Sequence, residues 1–336
     1  MDFYILDELP EGMLEAGTEN LHEILDGPTL LRIPGKKEPA LFVSTLLHGD
    51  EPTGFLATQK LLNEYRARKE ALPRTLWLFL GNIPAARENQ RHLPGQPDFN
   101  RIWNGGSRPE HRLAENLTAL LRSSELFAAI DIHNTSGRNP HYACVNKLDP
   151  AIINLGKLFS SMIVYFTRPE EVISRALSEF CTAITIESGL AHDPYGVEHV
   201  SNFLRQCLNL DRIPDTLPNP EEPEVYHSIA RIEVPETSRI GFGDTPGETD
   251  FNFVENLESM NFIEQAENTL LGWRRNPQMH LAVVNEQGQD VSESFIHYKN
   301  GEIRLLRCVV PSMFTTHTIN ILDDCLGYLM QRYTLG

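Results

Sequence analysis

Residues 40–54 read Ala-Leu-Phe-Val-Ser-Thr-Leu-Leu-His-Gly-Asp-Glu-Pro-Thr-Gly, and the fold of the whole chain is interpreted outward from this stretch. Its apolar run stops abruptly at His48, Glu51 follows three residues later, and a helix-like segment begins at Gly54. The pattern predicts a buried strand that delivers a histidine and a glutamate to the loop at its carboxyl end. Ligands of open α/β sheets bind at that edge of the sheet. We therefore interpret His48 and Glu51 as two protein ligands of a catalytic zinc ion.

Two further strand-like runs also end at an ionisable side chain. The apolar run 126–132 is followed by His133, and the β-branched run 183–186 is followed by Glu187. Because parallel strands share one carboxyl edge, we expect these side chains to lie beside His48 and Glu51. Two neutral imidazoles and one carboxylate leave a fourth zinc position open for water, as in hydrolytic zinc sites. The spacing His-x-x-Glu is weak by itself, and the shared position after strands is what makes it informative.

Two glutamates compete for the role of general acid/base. A zinc ion would acidify a water molecule and polarise a scissile carbonyl, and a separate carboxylate must then move the proton. Glu51 lies three residues from His48 in a loop, a spacing that suits joint ligation. We therefore assign Glu51 to the metal and Glu187 to acid/base chemistry.

Strand-like and helix-like segments alternate through the first two thirds of the chain. This alternation predicts an α/β fold: a mixed, mostly parallel, doubly wound sheet flanked by helices. The segment 211–224 is rich in proline and acidic residues and is the best linker candidate. Beyond it, short strand-like runs separated by turn residues predict a smaller β-rich domain that closes with a helix over 319–333. We predict a catalytic domain over residues 1–215 and a C-terminal domain over 216–336 that covers the substrate entrance.

Composition excludes several classes of partner. The net charge is -17 and the pI is near 5.1, so we expect no nucleic-acid partner and no binding to an anionic membrane surface. The five cysteines are scattered without a CxxC pair, which favours reduced thiols over disulfides or a cysteine zinc site. Residues 1–8 lack a basic segment followed by an apolar run, so we expect no signal peptide and a cytoplasmic protein. A homo-oligomer is compatible with the sequence, which leaves the oligomeric state open.

Four motifs resemble the succinylglutamate desuccinylase/aspartoacylase family, within the wider clan of zinc carboxypeptidases. Their order and spacing agree over roughly residues 40–200, while the C-terminal third is matched only in type, as a β-rich domain. The motifs are specific to the clan and not to one substrate. They are His48-Gly49-Asp50-Glu51, then Gly81-Asn82 with Pro84 followed by Asp98-Phe99-Asn100-Arg101-Ile102, then Asp131-Ile132-His133-Asn134-Thr135, and finally Thr185-Ile186-Glu187-Ser188-Gly189.

The resemblance implies a zinc carboxypeptidase-like fold and one zinc ion per chain, bound by His48, Glu51 and His133. It also implies that Glu187 is the general acid/base. Asp131 lies two residues before His133 on the same strand face. It would either hold a metal-binding histidine in place or be an ordinary buried carboxylate.

Further substrate-binding residues follow from the same resemblance. Asn100 and Arg101 would grip a substrate carboxylate, and Arg91 would polarise the scissile carbonyl. Phe99 departs from the leucine usual in the family, and the loop from Arg91 to Arg101 is slightly longer than in the family pattern. Three loop residues beside the motifs are predicted to line the substrate pocket, namely Asn134, Arg138 and Tyr195.

We therefore predict a zinc-dependent hydrolase that cleaves the amide bond of an N-acyl amino acid or a similar small carboxylate-bearing amide. The alternative is a zinc metallocarboxypeptidase that acts on short peptides or peptidoglycan fragments, because the clan shares the same ligands and the Asn-Arg pair. A non-catalytic metal- or small-molecule-binding protein is a third interpretation. The presence of Glu187 argues against that third interpretation, since binding alone needs no base.

Overall fold

A computed structural model describes residues 2–219 and 222–335 and divides the chain into two compact units. The first unit runs to Asn134 and resumes over His141–Pro223, and the second comprises Thr135–Pro140 and the chain from Glu224 onward. The predicted linker 211–224 ends at this boundary, and two of its residues, Pro220 and Glu221, lie outside the described part. That the second unit covers the substrate entrance stays a prediction.

The first unit is built on one mixed sheet. Its strands are Tyr4–Leu6 (β1), Thr29–Ile33 (β2), Ala40–Thr45 (β3), Leu76–Leu80 (β4), Leu126–Thr135 (β5), Tyr142–Val145 (β6), Met162–Tyr165 (β7) and Ala183–Leu190 (β8). Its α-helices are Thr53–Arg68 (α1), Ile83–Arg87 (α2), Pro109–Arg122 (α3), Pro150–Phe159 (α4), Ile173–Leu177 (α5) and Pro194–Asn209 (α6), and Thr18–Glu23 forms a 3₁₀ turn. The strand order is β1-β2-β4-β3-β5-β8-β6-β7. Neighbours β3/β4, β3/β5 and β6/β7 are parallel, while β2/β4 and β6/β8 are antiparallel.

Helices cover both faces of this sheet, as the sequence predicts for a doubly wound fold. On one face, Gly54 of α1 approaches Thr45 and Ile132 so closely that an added Cβ would lie 2.4 Å from the Thr45 hydroxyl. On the other face, Phe42 and Phe79 share an apolar core with residues of α3 and α5. Because side chains alternate along a strand, these two sets of residues point in opposite directions.

Strand β3 ends at Thr45, two residues before the end of the apolar run that predicts it. Leu46 has a φ of 55°, which few residues other than glycine adopt, and this terminates β3 after Thr45. The carbonyl of Leu46 accepts a hydrogen bond of 2.6 Å from the backbone N–H of Asn82, the residue after β4. The ends of two neighbouring strands are thereby joined, and the turn carries His48 and Glu51 toward the start of α1.

The second unit contains two antiparallel-rich sheets around one apolar core. Its strands are Glu224–Glu233 (β9), Ile240–Phe242 (β10), Phe251–Phe253 (β11), Leu270–Arg274 (β12), Ala282–Asn285 (β13), Ile296–Lys299 (β14), Glu302–Leu305 (β15), Val310–Ser312 (β16) and Gly327–Tyr333 (β17), and its helices are Ser292–Phe295 (α7), Thr318–Asp323 (α8) and a 3₁₀ turn Leu257–Met260. One sheet has the order β10-β11-β12-β15-β14, and in the other β9 pairs with both β13 and β17. The predicted β-rich C-terminal region is confirmed.

The predicted closing helix over 319–333 is wrong. Only Thr318–Asp323 is helical, and Gly327–Tyr333 pairs antiparallel with β9 over seven residues. A Cβ at Gly327 would lie 2.7 Å from the carbonyl oxygen of Ser312, so the strand packs closely on β16 at this point. Cross-strand pairing decides the structure here, and helical periodicity within the segment does not. In the part of the chain that is described, no helix has both the length and the apolar character that crossing a bilayer requires.

Candidate functional site

The three predicted metal ligands meet at the carboxyl edge of the first sheet. The Nδ1 atom of His48 lies 2.8 Å from Glu51 Oε1, and the Nδ1 atom of His133 lies 2.7 Å from Glu51 Oε2. The two Nδ1 atoms are 3.2 Å apart, and the potential ligand atoms of all three residues lie within 4.8 Å of one another. All three residues are buried. Among the described residues, this is the one group of three or more His, Cys, Asp or Glu arranged to hold a metal ion.

The outward nitrogen of each imidazole is held by a carboxylate. His48 Nε2 lies 2.9 Å from Asp98 Oδ1, and His133 Nε2 lies 2.7 Å from Asp131 Oδ2. Asp131 in turn accepts a hydrogen bond of 2.6 Å from the hydroxyl of Ser44. With Nε2 protonated toward a carboxylate, the Nδ1 lone pair points inward, which is the arrangement that metal-binding histidines usually have. The donor set of two imidazoles and one carboxylate therefore fits a divalent cation.

The charges of His48, Glu51 and His133 shift one another's pKa values. Burial lowers the pKa of His133, but the carboxylates of Asp131 and Glu51 outweigh it and raise that pKa well above 6.5. The pKa of His48 is also raised, because Glu51 and Asp98 outweigh burial and the charge of Arg91. Burial raises the pKa of Glu51, yet the two imidazolium groups reverse this and lower it.

Glu187 lies on β8 with a carboxylate oxygen that has no partner. Oε2 is buried and accepts no hydrogen bond from any described residue, and the side chain is 8% exposed. Burial raises the pKa of Glu187 to about 8, partly offset by the charges of His133 and His48. A carboxyl group whose pKa lies near neutrality is suited to proton transfer.

Arg91 and Asp98 lie next to the predicted ligands, Arg91 beside Glu51 and Asp98 beside His48. Arg91 Nη2 donates to Asp98 Oδ2 over 2.8 Å, and its Nη1 lies 3.7 Å from Glu51 Oε1. Burial raises the pKa of Asp98, but Arg91 and then His48 lower it well below its usual value. Asp98 is therefore a carboxylate that joins the guanidinium to the metal-binding imidazole.

Asn100 and Arg101 lie in the same loop. Asn100 Nδ2 lies 3.2 Å from His133 Nε2, and Asn100 Oδ1 accepts a hydrogen bond of 3.1 Å from the backbone N–H of Ile173. Arg101 Nη1 donates to the carbonyl of Asn100 over 3.0 Å, and its charge contributes to the lowered pKa of Asp98. Both residues predicted to bind substrate thus stand beside the His-Glu-His cluster.

Asn134 is engaged entirely with protein groups. Its Nδ2 donates to Thr53 Oγ1, Ser188 Oγ and the carbonyl of Gly189 at 2.9, 3.1 and 2.9 Å, while its Oδ1 accepts from the backbone N–H of Thr53. The backbone N–H of Asn134 donates to Glu51 Oε2 over 3.1 Å. These bonds tie the start of α1 to the ends of β5 and β8. The side chain therefore contributes to the site by holding its scaffold.

The other two predicted pocket residues, Arg138 and Tyr195, have other described contacts. Arg138 belongs to the second unit, where its N–H donates to Glu258 and its side chain is exposed. Tyr195 begins α6, is 70% exposed, and stacks on His141 with ring centroids 5.6 Å apart. Neither has a contact with His48, Glu51 or His133 among the described interactions, and their roles in substrate binding stay predictions.

Sequence reasoning assigned no role to one residue of the site. Asp98 opens the motif Asp98-Phe99-Asn100-Arg101, yet its partner His48 is fifty positions away and no local pattern links them. The place of Asp98 at the start of that motif was the one signal that the sequence offered.

Comparisons with known proteins identify the family of the chain. The model of the succinylglutamate desuccinylase/aspartoacylase catalytic domain matches residues 37–212, slightly more than half of the chain. This range contains both histidines, Glu51 and Glu187. No curated protein sequence matches the chain significantly.

Solved structures resemble the whole chain. A succinylglutamate desuccinylase from Chromobacterium violaceum is 16% identical, with a TM-score of 0.56 over 88% of this chain and 86% of that one. Murine aminoacylase 3 is 13% identical, with a TM-score of 0.51 over 89% and 98%. The ectoine utilization protein EutE (DoeB) from Ruegeria pomeroyi is 15% identical, with a TM-score of 0.53 over 91% and 83%. At such identities these neighbours establish the fold, and they confirm the mixed α/β sheet with a β-rich C-terminal region.

Proposed function

The chain belongs to the succinylglutamate desuccinylase/aspartoacylase family, and from that membership we propose that it is a zinc-dependent amide hydrolase acting on a small N-acyl amino acid. One observation carries the proposal: Glu187 Oε2 is buried with no partner among the described residues, on the sheet face that bears His133 and Asp131. Leaving a buried carboxylate oxygen unpaired costs stability, so its retention beside three ligands favours a catalytic use over simple metal binding.

His48, Glu51 and His133 would hold the zinc ion. When bound, the ion supplies Lewis-acid polarisation of the scissile carbonyl and acidification of a water molecule. Asp98 and Asp131 keep the outward imidazole nitrogens protonated, so that the inward nitrogens stay available as ligands.

Glu187 would carry the proton. Its Oε2 takes a proton from the attacking water and then gives it to the leaving amine nitrogen. The positive charge of a bound cation would lower the pKa of Glu187 from about 8, which makes the carboxylate form available at neutral pH. Burial favours the neutral acid and so helps Glu187 to accept the proton, while the positive charge of the cation helps it to release the proton to the amine.

Two arginines would position the substrate. Arg101, next to Asn100, would bind a substrate carboxylate through the paired donors of its guanidinium. Arg91 stands 3.7 Å from Glu51 and is fixed by Asp98, so it would face the oxygen of the scissile carbonyl and stabilise the charge that develops there. We also propose a cytoplasmic location and a small-molecule substrate on the sequence argument given above.

The first test is metal analysis of the purified protein beside its His133→Ala variant, with release of primary amine from a panel of N-acyl amino acids and dipeptides. We expect about one zinc per chain, loss of zinc in the variant, and hydrolysis of acyl amino acids. A Glu187→Gln variant should retain zinc, and its rate of hydrolysis should fall about 10²- to 10⁴-fold.

The outcomes separate the alternatives. Cleavage of peptides alone would support the metallocarboxypeptidase. Failure to bind zinc after loading would overturn the catalytic proposal. Zinc binding with full activity in Glu187→Gln would show that another group moves the proton.

A further inference from the structure

Two histidines of the first unit that are not among the predicted zinc ligands lie beside each other. His141 immediately precedes β6, and His199 belongs to α6. The centroids of the two rings are 4.7 Å apart, and the ring planes are inclined to each other by 34°. Both residues are partly exposed. The fold therefore brings together two imidazoles from positions that are 58 residues apart, at a place where solvent reaches the protein.

The spacing of this pair is that of two imidazoles bound to one ion. A zinc ion lies about 2.0–2.1 Å from each ligating nitrogen, which puts the centres of two such rings roughly 4.5–5 Å apart. The rings of the predicted ligands His48 and His133 have centroids 4.8 Å apart. His141 and His199 thus have nearly the same separation as the pair that is predicted to hold the catalytic zinc.

The hydrogen bonds of the pair leave lone pairs available for a metal. His199 Nε2 lies 2.8 Å from the carbonyl oxygen of Phe159. A carbonyl oxygen only accepts, so Nε2 carries the proton and Nδ1 of the neutral ring has the lone pair. Partners of this kind orient metal-binding histidines in many proteins.

The ring nitrogens of His141 are open to solvent. Neither hydrogen-bonds to a described residue, and neither is among the buried polar atoms that lack a partner. The space beside Nε2 borders a glycine, since a Cβ added to Gly189 would lie 3.2 Å from that nitrogen. Either nitrogen of His141 can therefore carry the lone pair.

Charge at the pair favours neutral rings and a bound cation. Burial lowers the pKa of His141, the charge of His199 lowers it further, and the carboxylate of Asp193 offsets part of this. A neutral imidazole is the form that binds metals. Two protonated rings at this distance would repel each other, whereas one cation shared by two neutral rings would be attracted to both and to Asp193.

We propose that His141 and His199 form a second metal site, which binds a divalent transition-metal ion such as zinc, copper or nickel, with water in the remaining positions. Imidazole nitrogens suit these ions, whereas magnesium and calcium prefer oxygen ligands. With two protein ligands, the site binds zinc more weakly than the His48, Glu51 and His133 cluster does. The proposal is independent of the hydrolase function proposed above.

The rival interpretation is that the pair only packs as part of a ring stack. Tyr195 stacks on His141 with centroids 5.6 Å apart, and Phe159 lies against His199 at 4.7 Å. His141→Phe separates the two interpretations, because a phenyl ring preserves the stack and has no nitrogen. His199→Phe is the second variant and keeps the test valid if His141→Phe does not fold.

The test is calorimetric titration of zinc into the metal-free full-length protein. We expect the wild type to bind a second, weaker equivalent of zinc after the first. Both phenylalanine variants should lose the second equivalent, keep the first, and retain a wild-type Tm in the presence of a chelator. The exposed His317 provides the control, since His317→Ala should still bind two equivalents.

Copper supplies a spectroscopic readout that does not depend on activity. Cu²⁺ binds imidazole sites more tightly than Zn²⁺ or Ni²⁺. In His133→Ala, which disrupts the predicted catalytic site, the electron paramagnetic resonance spectrum of bound Cu²⁺ should show coupling to two imidazole nitrogens. Adding His141→Phe to this variant should reduce the number of coupled nitrogens and weaken copper binding.

The outcomes separate this proposal from the hydrolase. A wild type that takes up one zinc and no more overturns the second site alone. A second equivalent that survives both phenylalanine variants also overturns it, because the ion then binds elsewhere. A second equivalent that is lost in these variants, in a protein that hydrolyses no acyl amino acid, supports the second site and counts against the hydrolase.

Discussion

Asp131 accepts the outward N–H of His133 over 2.7 Å, and this single bond fixes the tautomer and direction of a metal ligand. Replacing Asp131 with asparagine keeps the shape of the side chain but removes its charge. We expect zinc affinity to fall about 10–100-fold, as is usual for partners of metal-binding histidines. Competition with a chromophoric chelator measures the change. The exposed Asp149 provides the control, because Asp149→Asn should bind zinc like the wild type.

Glu187 should leave a pH signature in the stability of the metal-free protein. Its pKa is raised from 4.5 to about 8 on folding, so its contribution is present below pH 4.5 and is lost as the pH rises through 8. Each pKa unit corresponds to about 1.4 kcal/mol, so the loss amounts to a few kcal/mol. In Glu187→Gln the free energy of unfolding should therefore decline less over this range.

Urea unfolding in the presence of a chelator measures the effect of Glu187→Gln. The exposed Glu125 offers a matched change, since Glu125→Gln should give a curve parallel to that of the wild type. Parallel curves for Glu187→Gln and the wild type would contradict a buried, proton-retaining carboxyl group.

The sequence alone predicts that His48, Glu51 and His133 meet, because each follows an apolar strand and parallel strands share an edge. It does not predict that Asp98 holds His48. Asp98 lies in a long loop without periodicity, and only the folded path of that loop brings the two side chains within 2.9 Å. The metal ligands could therefore be predicted from the sequence, whereas the carboxylate that holds His48 could be identified only from the tertiary structure.

At the scale of single elements, the loop between β3 and α1 is fixed by a close approach at Gly49. An added Cβ would lie 2.2 Å from both the Ala85 carbonyl carbon and the Ala86 nitrogen of α2. Gly49→Ala must therefore displace either α2 or the loop that carries His48 and Glu51. We expect the free energy of unfolding to drop by about 1–3 kcal/mol and zinc binding to weaken as well.

Thermal unfolding and zinc titration of Gly49→Ala should be compared with Gly27→Ala. At Gly27 the nearest atom to an added Cβ is Tyr4 Cε2 at 3.5 Å, an ordinary contact, so that variant should change little. Equal stability of the two variants would show that α2 yields easily and does not fix the loop.

Secondary structure could be predicted where a segment has a clear hydrophobic periodicity. It could not be predicted where pairing with another strand determines the structure. Pro109–Arg122 presents four buried apolar residues at helical spacing, a pattern that predicts a helix from the segment alone. Tyr142–Val145 is only four residues long and was not predicted, although it pairs with β8, the strand that carries Glu187. In Gly327–Tyr333, pairing with β9 overrode a helical pattern, because cross-strand contacts stabilise a strand more than local preference does.

At the scale of the whole molecule, zinc should stabilise the protein more as the pH rises. Without a cation, the pKa values of His48 and His133 are raised, so their stabilising contribution is present below about 6.5 and is lost as the pH rises through the folded values. Zinc must displace those protons, and its affinity therefore increases with pH. The gap in Tm between zinc-loaded and chelated protein should widen from about pH 6 to pH 8, since ligand stabilisation grows with affinity. His133→Ala should show little or no gap, and a gap that is constant with pH in the wild type would mean that the ion does not bind where those protons are held.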